Sequence, residues 1–257
     1  MVRWRSSGDL WELDPPRAGS PTDAPPLLEF IGGSYLAATP QLSYRRLLEA
    51  MAQLGWQVRA WSYVPAFDHQ QQANTAWRRF RERRQQQSTA PAVVVRLGHS
   101  LGCKLHLLAP DGGRGCSALV ALSFNNFSAE RSVPLLAELG AQMGFRSEFS
   151  PSPAATLELV QRAYRQHRNL LVRFNADQID QSARLLDVLQ ARPGDASTLL
   201  ELSGDHLSPA SGGLRRQLLG RWADDPARGR RIAALAATIS DWSGPSRRQD
   251  GAERCLT

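Results

Sequence analysis

The sequence predicts an α/β protein built on a doubly wound, mostly parallel sheet. Short apolar and β-branched runs alternate along the chain with segments whose hydrophobic residues have helical spacing. Strands and helices that alternate in this way are typical of βαβ units, which place helices on both faces of one sheet. The chain has 257 residues, 42% of them hydrophobic and 21% charged, which is sufficient for a large buried core.

The strands are predicted from the order of these runs. The N-terminal segment VRWRSSGDLWELDPP predicts a hairpin with Ser-Ser-Gly at its turn. Six core strands follow in the runs LLEFIGG, QVRAWSYV, AVVVRL, ALVALSF, NLLVRF and STLLELSG. We expect a single domain over residues 1–243 and a disordered tail over residues 244–257.

Two helix starts carry capping signals. Thr39 occupies an N-cap position before Pro40, and helical spacing then continues to Gly55. Asp68 is expected to cap the helix that carries the arginine-rich run 77–84.

The charge of the chain raises the question of a nucleic-acid partner. The formal net charge is +7, and among the 31 basic residues Lys104 is the only lysine. The arginines of the 77–84 run could form a phosphate-binding stripe or a solvated helix face. No nucleic-acid motif accompanies them, so we favour the solvated face and expect no nucleic-acid partner.

Cysteine usage and hydropathy bear on location. Cys103, Cys116 and Cys255 form no CxxC pair, and any disulfide would leave one of them unpaired. This pattern favours a reducing compartment, and we expect a cytoplasmic protein. The sequence has no run of eighteen apolar residues and no signal-peptide pattern, so integral membrane association is not expected. No feature indicates a particular oligomeric state.

The third core strand runs into a helix through Gly98-His99-Ser100-Leu101-Gly102. G-x-S-x-G between a strand and a helix is the pattern of a nucleophile elbow. The turn is so tight that the positions two before and two after the serine must lack a side chain, as Gly98 and Gly102 do. The serine then projects at the helix N-terminus, where backbone amides can stabilise an oxyanion. Ser100 is the predicted nucleophile.

A base and an acid are predicted at later strand ends, in the chain order Ser, Asp, His. His206 follows the sixth core strand and is the predicted base. Asp177 and Asp180 both follow the fifth, and we favour Asp177 as the acid because Asp180 could cap the next helix. His69 follows the second core strand at the same edge and is a further candidate for substrate contact.

The oxyanion hole is predicted from two backbone amides. Leu101, the residue after the nucleophile, supplies the first. The second should come from the loop after the first core strand, where Gly32 and Gly33 let the backbone approach closely and the Ser34 amide is the best candidate. No cluster with metal-ligand spacing occurs, and the chemistry requires neither a metal nor an organic cofactor.

With these pieces in place, the chain resembles the α/β-hydrolase superfamily over about residues 27–242. The segments FIGGSYLAATPQLSYRRLLEAMAQLGW, GHSLGCKLHLL, ALSFNNFSAERS and FNADQIDQSARLL resemble a cyanobacterial and plastid family known as domain of unknown function 1350 and labelled esterase-like. The resemblance implies the hydrolase fold and a site led by Ser100, without a substrate. The first loop departs from many relatives, because Phe30 and Ile31 stand before Gly32 where an HG motif is usual.

Three functions are compatible with this reading. The first is a serine hydrolase that cleaves an ester or thioester of a small molecule with a small to medium acyl group. The second is a non-catalytic protein that keeps the fold and binds a partner or an apolar ligand. The third is another reaction on the same three residues, such as acyl transfer or carbon–carbon cleavage.

A small helical cap is predicted over about residues 127–168, because a single crossover helix does not need so long a segment. Its first helix, from Val133 to Met143, presents an apolar face that could cover Ser100. Its second helix, which carries Leu157 and Tyr164, is expected to pack on the sheet. An apolar cover favours an acyl chain of medium length.

Overall fold

A computed structural model describes residues 2–16, 24–128, 148–211 and 226–244. It contains one eight-stranded sheet, which confirms the predicted α/β class. The strands are β1 Arg5–Ser7, β2 Leu10–Leu13, β3 Leu27–Ile31, β4 Gln57–Trp61, β5 Val94–His99, β6 Ala118–Leu122, β7 Asn169–Phe174 and β8 Thr198–Leu202.

The strand order places the chemistry at one edge of the sheet. The order is β1-β2-β4-β3-β5-β6-β7-β8. β1 and β2 form the antiparallel hairpin predicted from the sequence, and β2 is antiparallel to β4, whereas all later neighbours are parallel. The carboxyl ends of β3 and β5–β8 therefore meet at the same edge, where ligands bind in sheets of this kind.

Helices cover both faces of the sheet. They are α1 Pro40–Ser43, α2 Arg45–Gln53, α3 His69–Gln85, α4 Leu101–Leu107, α5 Pro153–Ala163, α6 Ser182–Gln190 and α7 Pro226–Ser243, with a 3₁₀ turn at Ser34–Leu36. α2 and α7 pack together over one face, and α3 to α6 cover the other. This doubly wound arrangement buries the sheet on both sides.

The predicted helix over residues 40–55 is interrupted at Tyr44, where the sequence indicated one continuous helix. Tyr44 has φ −121° and separates α1 from α2, and its side chain is fully buried beneath the turn after β3. Pro40 takes the first helical position as predicted, but the Thr39 side chain makes no capping hydrogen bond. Asp68 does cap α3, because its carboxylate accepts a hydrogen bond from the Gln71 amide at 2.8 Å.

The segment predicted as a cap is described only in part. Its first predicted helix, Val133 to Met143, lies outside the described residues, as does the tail beyond residue 244. Its second helix is α5, and Leu157 and Val160 of this helix pack on β6, β7 and α6 as expected. The extent of the domain and of the cap stays a prediction.

A row of alternating charges crosses the buried sheet beneath α3. The register places Glu12 beside Arg59, Arg59 beside Glu29 and Glu29 beside Arg96, on the neighbouring strands β2, β4, β3 and β5. All four side chains are nearly or fully buried. Arg83 of α3 pairs with Glu12 at 2.7 Å.

The arginine-rich run of α3 therefore has two parts. Arg78, Arg79 and Arg81 are exposed, as expected for a solvated face. That interpretation is wrong for Arg83 and Arg84, because their side chains turn toward the sheet and pair with Glu12 and Glu29. Burial of these two carboxylates draws the arginines inward, since a buried charge needs an opposite charge nearby.

Candidate active site

Ser100 lies at the turn between β5 and α4 in a strained backbone conformation. Its φ of 54° and ψ of −119° are rare for a residue with a side chain. A Cβ at Gly98 would stand 2.5 Å from the Cys103 nitrogen, and one at Gly102 would stand 2.0 Å from the Ile31 carbonyl oxygen. Only glycine fits at either position, which is the geometric reason for the G-x-S-x-G spacing.

The structure brings Ser100, His206 and Asp177 into one chain of hydrogen bonds. His206 Nδ1 lies 2.8 Å from Asp177 Oδ2, and His206 Nε2 lies 3.0 Å from Ser100 Oγ. A carboxylate can only accept, so Nδ1 carries the proton in the neutral ring and Nε2 accepts from the serine hydroxyl. The Asp177 side chain is fully buried, and the His206 side chain is 20% exposed.

The second carboxylate candidate, Asp180, bonds to Ser182 instead, but it is not the N-cap of α6 as expected, because Gln181 holds that position. Its Oδ1 accepts a hydrogen bond from the Ser182 amide at 2.9 Å, and its Oδ2 accepts from the Ser182 hydroxyl at 2.8 Å. Burial raises the pKa of the Asp180 carboxyl, although its bonds to Ser182 oppose this shift. Asp180 therefore stabilises the first turn of α6, and its carboxylate is not the one bonded to His206.

The two amides predicted for the oxyanion hole, those of Ser34 and Leu101, border the same pocket as Ser100. In the described part of the chain, neither amide is bonded to a protein acceptor. The neighbouring Gly33 amide is not free, because it donates to the Tyr44 hydroxyl at 2.8 Å. Of the two amides at Gly33 and Ser34, the described contacts leave that of Ser34 without an acceptor, and its role in an oxyanion hole stays a prediction.

A buried hydrogen-bond chain behind the pocket was not predicted from the sequence. Tyr44 Oη lies 2.7 Å from His99 Nδ1, and His99 Nε2 lies 2.8 Å from the His206 carbonyl oxygen. Since that carbonyl can only accept, Nε2 of His99 donates to it and Nδ1 accepts from Tyr44. Burial lowers the pKa of His99 to about 3, which keeps this ring neutral.

This chain ties together the three loops that form the site. Tyr44 holds the loop after β3 through Gly33, while His99 holds the loop after β8 through the His206 backbone. The interrupted helix at Tyr44 is explained by this role. The sequence places His99 inside the elbow, but its partners are distant in the chain and no local pattern indicates them.

The pocket above Ser100 has a volume of about 320 Å³. Apolar side chains form part of its wall, among them Leu36, Phe127, Phe149 and Ile179. A pocket of this size accommodates a small molecule.

Two basic side chains of the pocket are buried beside Phe149. The His69 ring stacks on the Phe149 ring with centroids 4.2 Å apart, and the Lys104 ammonium lies 5.8 Å from the centroid of the same ring. Burial lowers the pKa of His69 to about 3 and that of Lys104 to about 8. His69 was a candidate for substrate contact from the sequence, whereas Lys104 was noted there only as the single lysine.

Over residues 2–16, 24–128, 148–211 and 226–244, no cluster of three or more His, Cys, Asp or Glu side chains could hold a metal ion. In the same ranges, no helix is both long and apolar enough to cross a bilayer.

The sheet order, the elbow and the positions of the three strand-end residues define the α/β-hydrolase fold. Within this class, residues 13–232 match the family described as "Protein of unknown function (DUF1350)", and the chain belongs to that family. Among curated proteins, no sequence matches the chain.

Solved structures with the same fold are distant in sequence. Esterase 2 of Thermogutta terrifontis, phosphonylated by sarin, is 16% identical with a TM-score of 0.60, covering 95% of this chain and 96% of that chain. Carboxyl esterase 2 of Tuber melanosporum is 16% identical with a TM-score of 0.59, covering 95% and 86%. A thioesterase domain from the curacin biosynthetic pathway is 12% identical with a TM-score of 0.53, covering 93% and 98%. At identities this low, the structural likeness shows a shared fold alone.

Proposed function

We propose that this protein is a serine hydrolase of the esterase or thioesterase type. The observation that carries the proposal is the chain of hydrogen bonds from Ser100 through His206 to Asp177, at the carboxyl edge of the sheet. The named structural neighbours include esterases and a thioesterase domain, which agrees with this class of reaction.

The first half of the reaction is acylation of Ser100. His206 Nε2 takes the hydroxyl proton as Oγ attacks the carbonyl carbon, and the Ser34 and Leu101 amides stabilise the oxyanion that forms. Asp177 holds the ring of His206 in the required tautomer and stabilises its positive charge. The alcohol or thiol then leaves with the proton from His206.

The second half releases the acid. Water gives a proton to His206 as it attacks the acyl group on Ser100, and His206 returns this proton to Oγ when the bond to the acid breaks. One ester and one water thus become one acid and one alcohol or thiol. An acceptor alcohol in place of water would give acyl transfer. We propose water, and a small to medium acyl group that contacts the apolar wall of the pocket.

A set of p-nitrophenyl esters from acetate to octanoate tests this proposal. We expect an optimum at intermediate chain length, with kcat/KM reduced by at least about 10³-fold in Ser100→Ala. Ser123→Ala is the matched control, because Ser123 is a buried serine with positive φ at the end of the neighbouring strand β6. Absence of hydrolysis with retained ligand binding would favour the non-catalytic alternative. Leu136 belongs to the first helix of the predicted cap, whose apolar face was expected to favour a medium-length acyl chain, and it lies outside the described residues.

The cysteines support the proposed cytoplasmic location. Cys103 and Cys116 are both buried with free thiols, while Cys255 lies outside the described residues. Free buried thiols are usual in a reducing compartment.

A further inference from the structure

The only lysine of the chain lies in the pocket of the proposed nucleophile. Lys104 follows Ser100 by one helical turn on α4, so the two residues share a helix face. It borders the pocket and yet is only 1% exposed. Every other basic position of this arginine-rich chain is arginine, so a compact ammonium occurs at this place alone.

Lys104 differs from the other buried cations in lacking a carboxylate partner. Arg59 pairs with Glu12 at 3.2 Å, Arg96 pairs with Asp111 at 2.6 Å, and Arg192 pairs with Asp195. In the described ranges no carboxylate oxygen lies within 4 Å of the Lys104 ammonium, which donates only to the Pro151 carbonyl oxygen at 3.0 Å. An ammonium has three donors, so two of them have no acceptor among the described residues and can serve a ligand.

His69 adds a second unused polar group to this wall of the pocket. Its ring is 3% exposed and is held against Phe149. Its Nδ1 is buried and has no hydrogen-bond partner among the described residues. A buried polar atom without a partner is costly, and a bound ligand would supply the missing bond.

We propose that the pocket binds an ester or thioester whose substrate also carries a carboxylate, and that this carboxylate binds the Lys104 ammonium with His69 as a second donor. This inference rests on the proposed hydrolase function and names the class of its substrate. The apolar wall then contacts the chain that separates the carboxylate from the bond to be cleaved. It revises the expectation of a purely apolar acyl group.

A carboxylate fits this wall better than a phosphate does. Lys104 is the one side chain of lysine, arginine, aspartate or glutamate among the described residues that border the pocket, and the histidines there are His69, His99 and His206. Burial lowers the pKa of Lys104 while the negative charge of nearby Glu148 opposes that shift. A single cation near an acidic side chain matches one negative charge rather than two.

The direct test is ligand binding to Ser100→Ala, which cannot turn the ligand over. The probes are monomethyl glutarate, which carries one carboxylate, and dimethyl glutarate, its neutral counterpart, measured by calorimetry. We expect the half ester to bind at least about tenfold more tightly, which is about 1.4 kcal/mol. The preference should vanish when Lys104→Met is added and should be partly kept by Lys104→Arg. Arg78→Met, which removes the same charge from the exposed face of α3, should leave it unchanged.

A spectroscopic measurement on Ser100→Ala with Lys104 intact protects the test from folding defects in the Lys104 variants, and this chain cannot convert dimethyl glutarate into the half ester. Because the chain has one lysine, labelling lysine at Nζ with ¹⁵N gives a single side-chain ammonium resonance. We expect this resonance to shift on titration with monomethyl glutarate and to stay in place with dimethyl glutarate.

Kinetics separate failure of this inference from failure of the proposed function. For p-nitrophenyl esters, we expect the ratio of kcat/KM for the glutarate half ester to that for hexanoate to fall at least tenfold in Lys104→Met. Hydrolysis of neutral esters by Ser100 without any preference for the half ester would overturn the subsite and leave the hydrolase intact. Half-ester binding at Lys104 without hydrolysis would support the subsite and overturn the hydrolase. Inorganic phosphate that shifts the lysine resonance as strongly as the half ester would overturn the assignment to a carboxylate.

Discussion

Two regions of the molecule bury charged side chains, and they differ in whether an opposite charge lies beside each buried one. Beneath α3, the row from Glu12 to Arg96 alternates in sign across four strands, so each charge lies within 4 Å of an opposite one. At the carboxyl edge, Lys104 is as deeply buried, but within the described part of the chain its ammonium donates only to the Pro151 carbonyl oxygen and lies near the Phe149 ring.

This difference distinguishes buried charges that stabilise the fold from a buried charge that is available to a ligand. A buried ion pair compensates the desolvation of its members, and it becomes strongly destabilising when one member is removed. A buried cation without a carboxylate destabilises the free protein and becomes compensated only when an anion binds. We therefore expect substitutions in the charged row to reduce stability without affecting chemistry, and substitutions at the carboxyl edge to affect chemistry.

The largest expected effect is at the proposed catalytic acid. Asp177→Asn should lower kcat by about 10⁴-fold, because an amide in this position no longer fixes the tautomer of His206. Asp180→Asn is the matched comparison and should instead lower the free energy of unfolding by about 1 kcal/mol, because it weakens the bonds to Ser182 at the start of α6. Ester hydrolysis and urea unfolding of both variants measure this. The reverse pattern would transfer the acid role to Asp180.

Substitutions in the row of alternating charges from Glu12 to Arg96 should lower stability and leave activity nearly unchanged. Glu12→Gln leaves Arg59 buried without the carboxylate that now lies 3.2 Å away. We expect the free energy of unfolding to fall by about 3 kcal/mol while kcat on a p-nitrophenyl ester changes less than about twofold. Chemical denaturation and kinetics on the same preparation test this, and a loss of activity in the folded variant would contradict the separation of the two regions.

The unpaired Lys104 should be visible in the pH dependence of stability. Burial lowers the pKa of Lys104 from 10.5 to about 8 in the folded chain. Between these values the unfolded chain holds a proton that the folded chain lacks, so stability rises with pH in this window and the gain is lost as pH falls to 8. Relative to Lys104→Met, the wild type should gain up to about 3 kcal/mol between pH 8 and 10.5. A difference that is flat over this range would show that Lys104 is not desolvated.

The smallest effect is expected for the buried hydrogen-bond chain. Tyr44→Phe keeps the ring and removes the hydroxyl that bonds to Gly33 and His99. Because Tyr44 acts through these neighbours, we expect kcat to fall by about tenfold and KM to change less than about twofold. Steady-state kinetics normalised to the number of sites that a fluorophosphonate probe labels distinguish this from a general loss of folding, which would lower the number of labelled sites and leave kcat per labelled site unchanged.

The fold and the candidate catalytic residues were accessible to sequence reasoning because their signals are local. Each core strand is a short apolar run, and Gly98 and Gly102 flank Ser100 within five residues. Asp177 and His206 could be chosen because in a parallel sheet the ends of strands meet at one edge. The choice of Asp177 over Asp180 depended on a helix start, which is also local.

The remaining features arise from contacts between distant segments. The pairing of Arg59 with Glu12 depends on strand register, and the inward turn of Arg84 depends on α3 lying over that register. The same holds for Tyr44, whose partners His99 and Gly33 belong to other elements. No periodicity along the chain encodes these pairs. For Lys104 the sequence shows one unusual feature, which is that it is the only lysine of the chain.

The central claim is that Ser100 is a nucleophile activated by His206. A fluorophosphonate probe tests it most directly, because a serine reacts covalently with such probes only when it is activated. Intact-protein mass spectrometry should show one adduct on the wild type, mapped to Ser100 by peptide analysis, a much slower reaction in Asp177→Asn and no adduct in Ser100→Ala. An adduct that forms at the same rate and stoichiometry in Ser100→Ala, or one that maps to another residue of the wild type, would contradict the account.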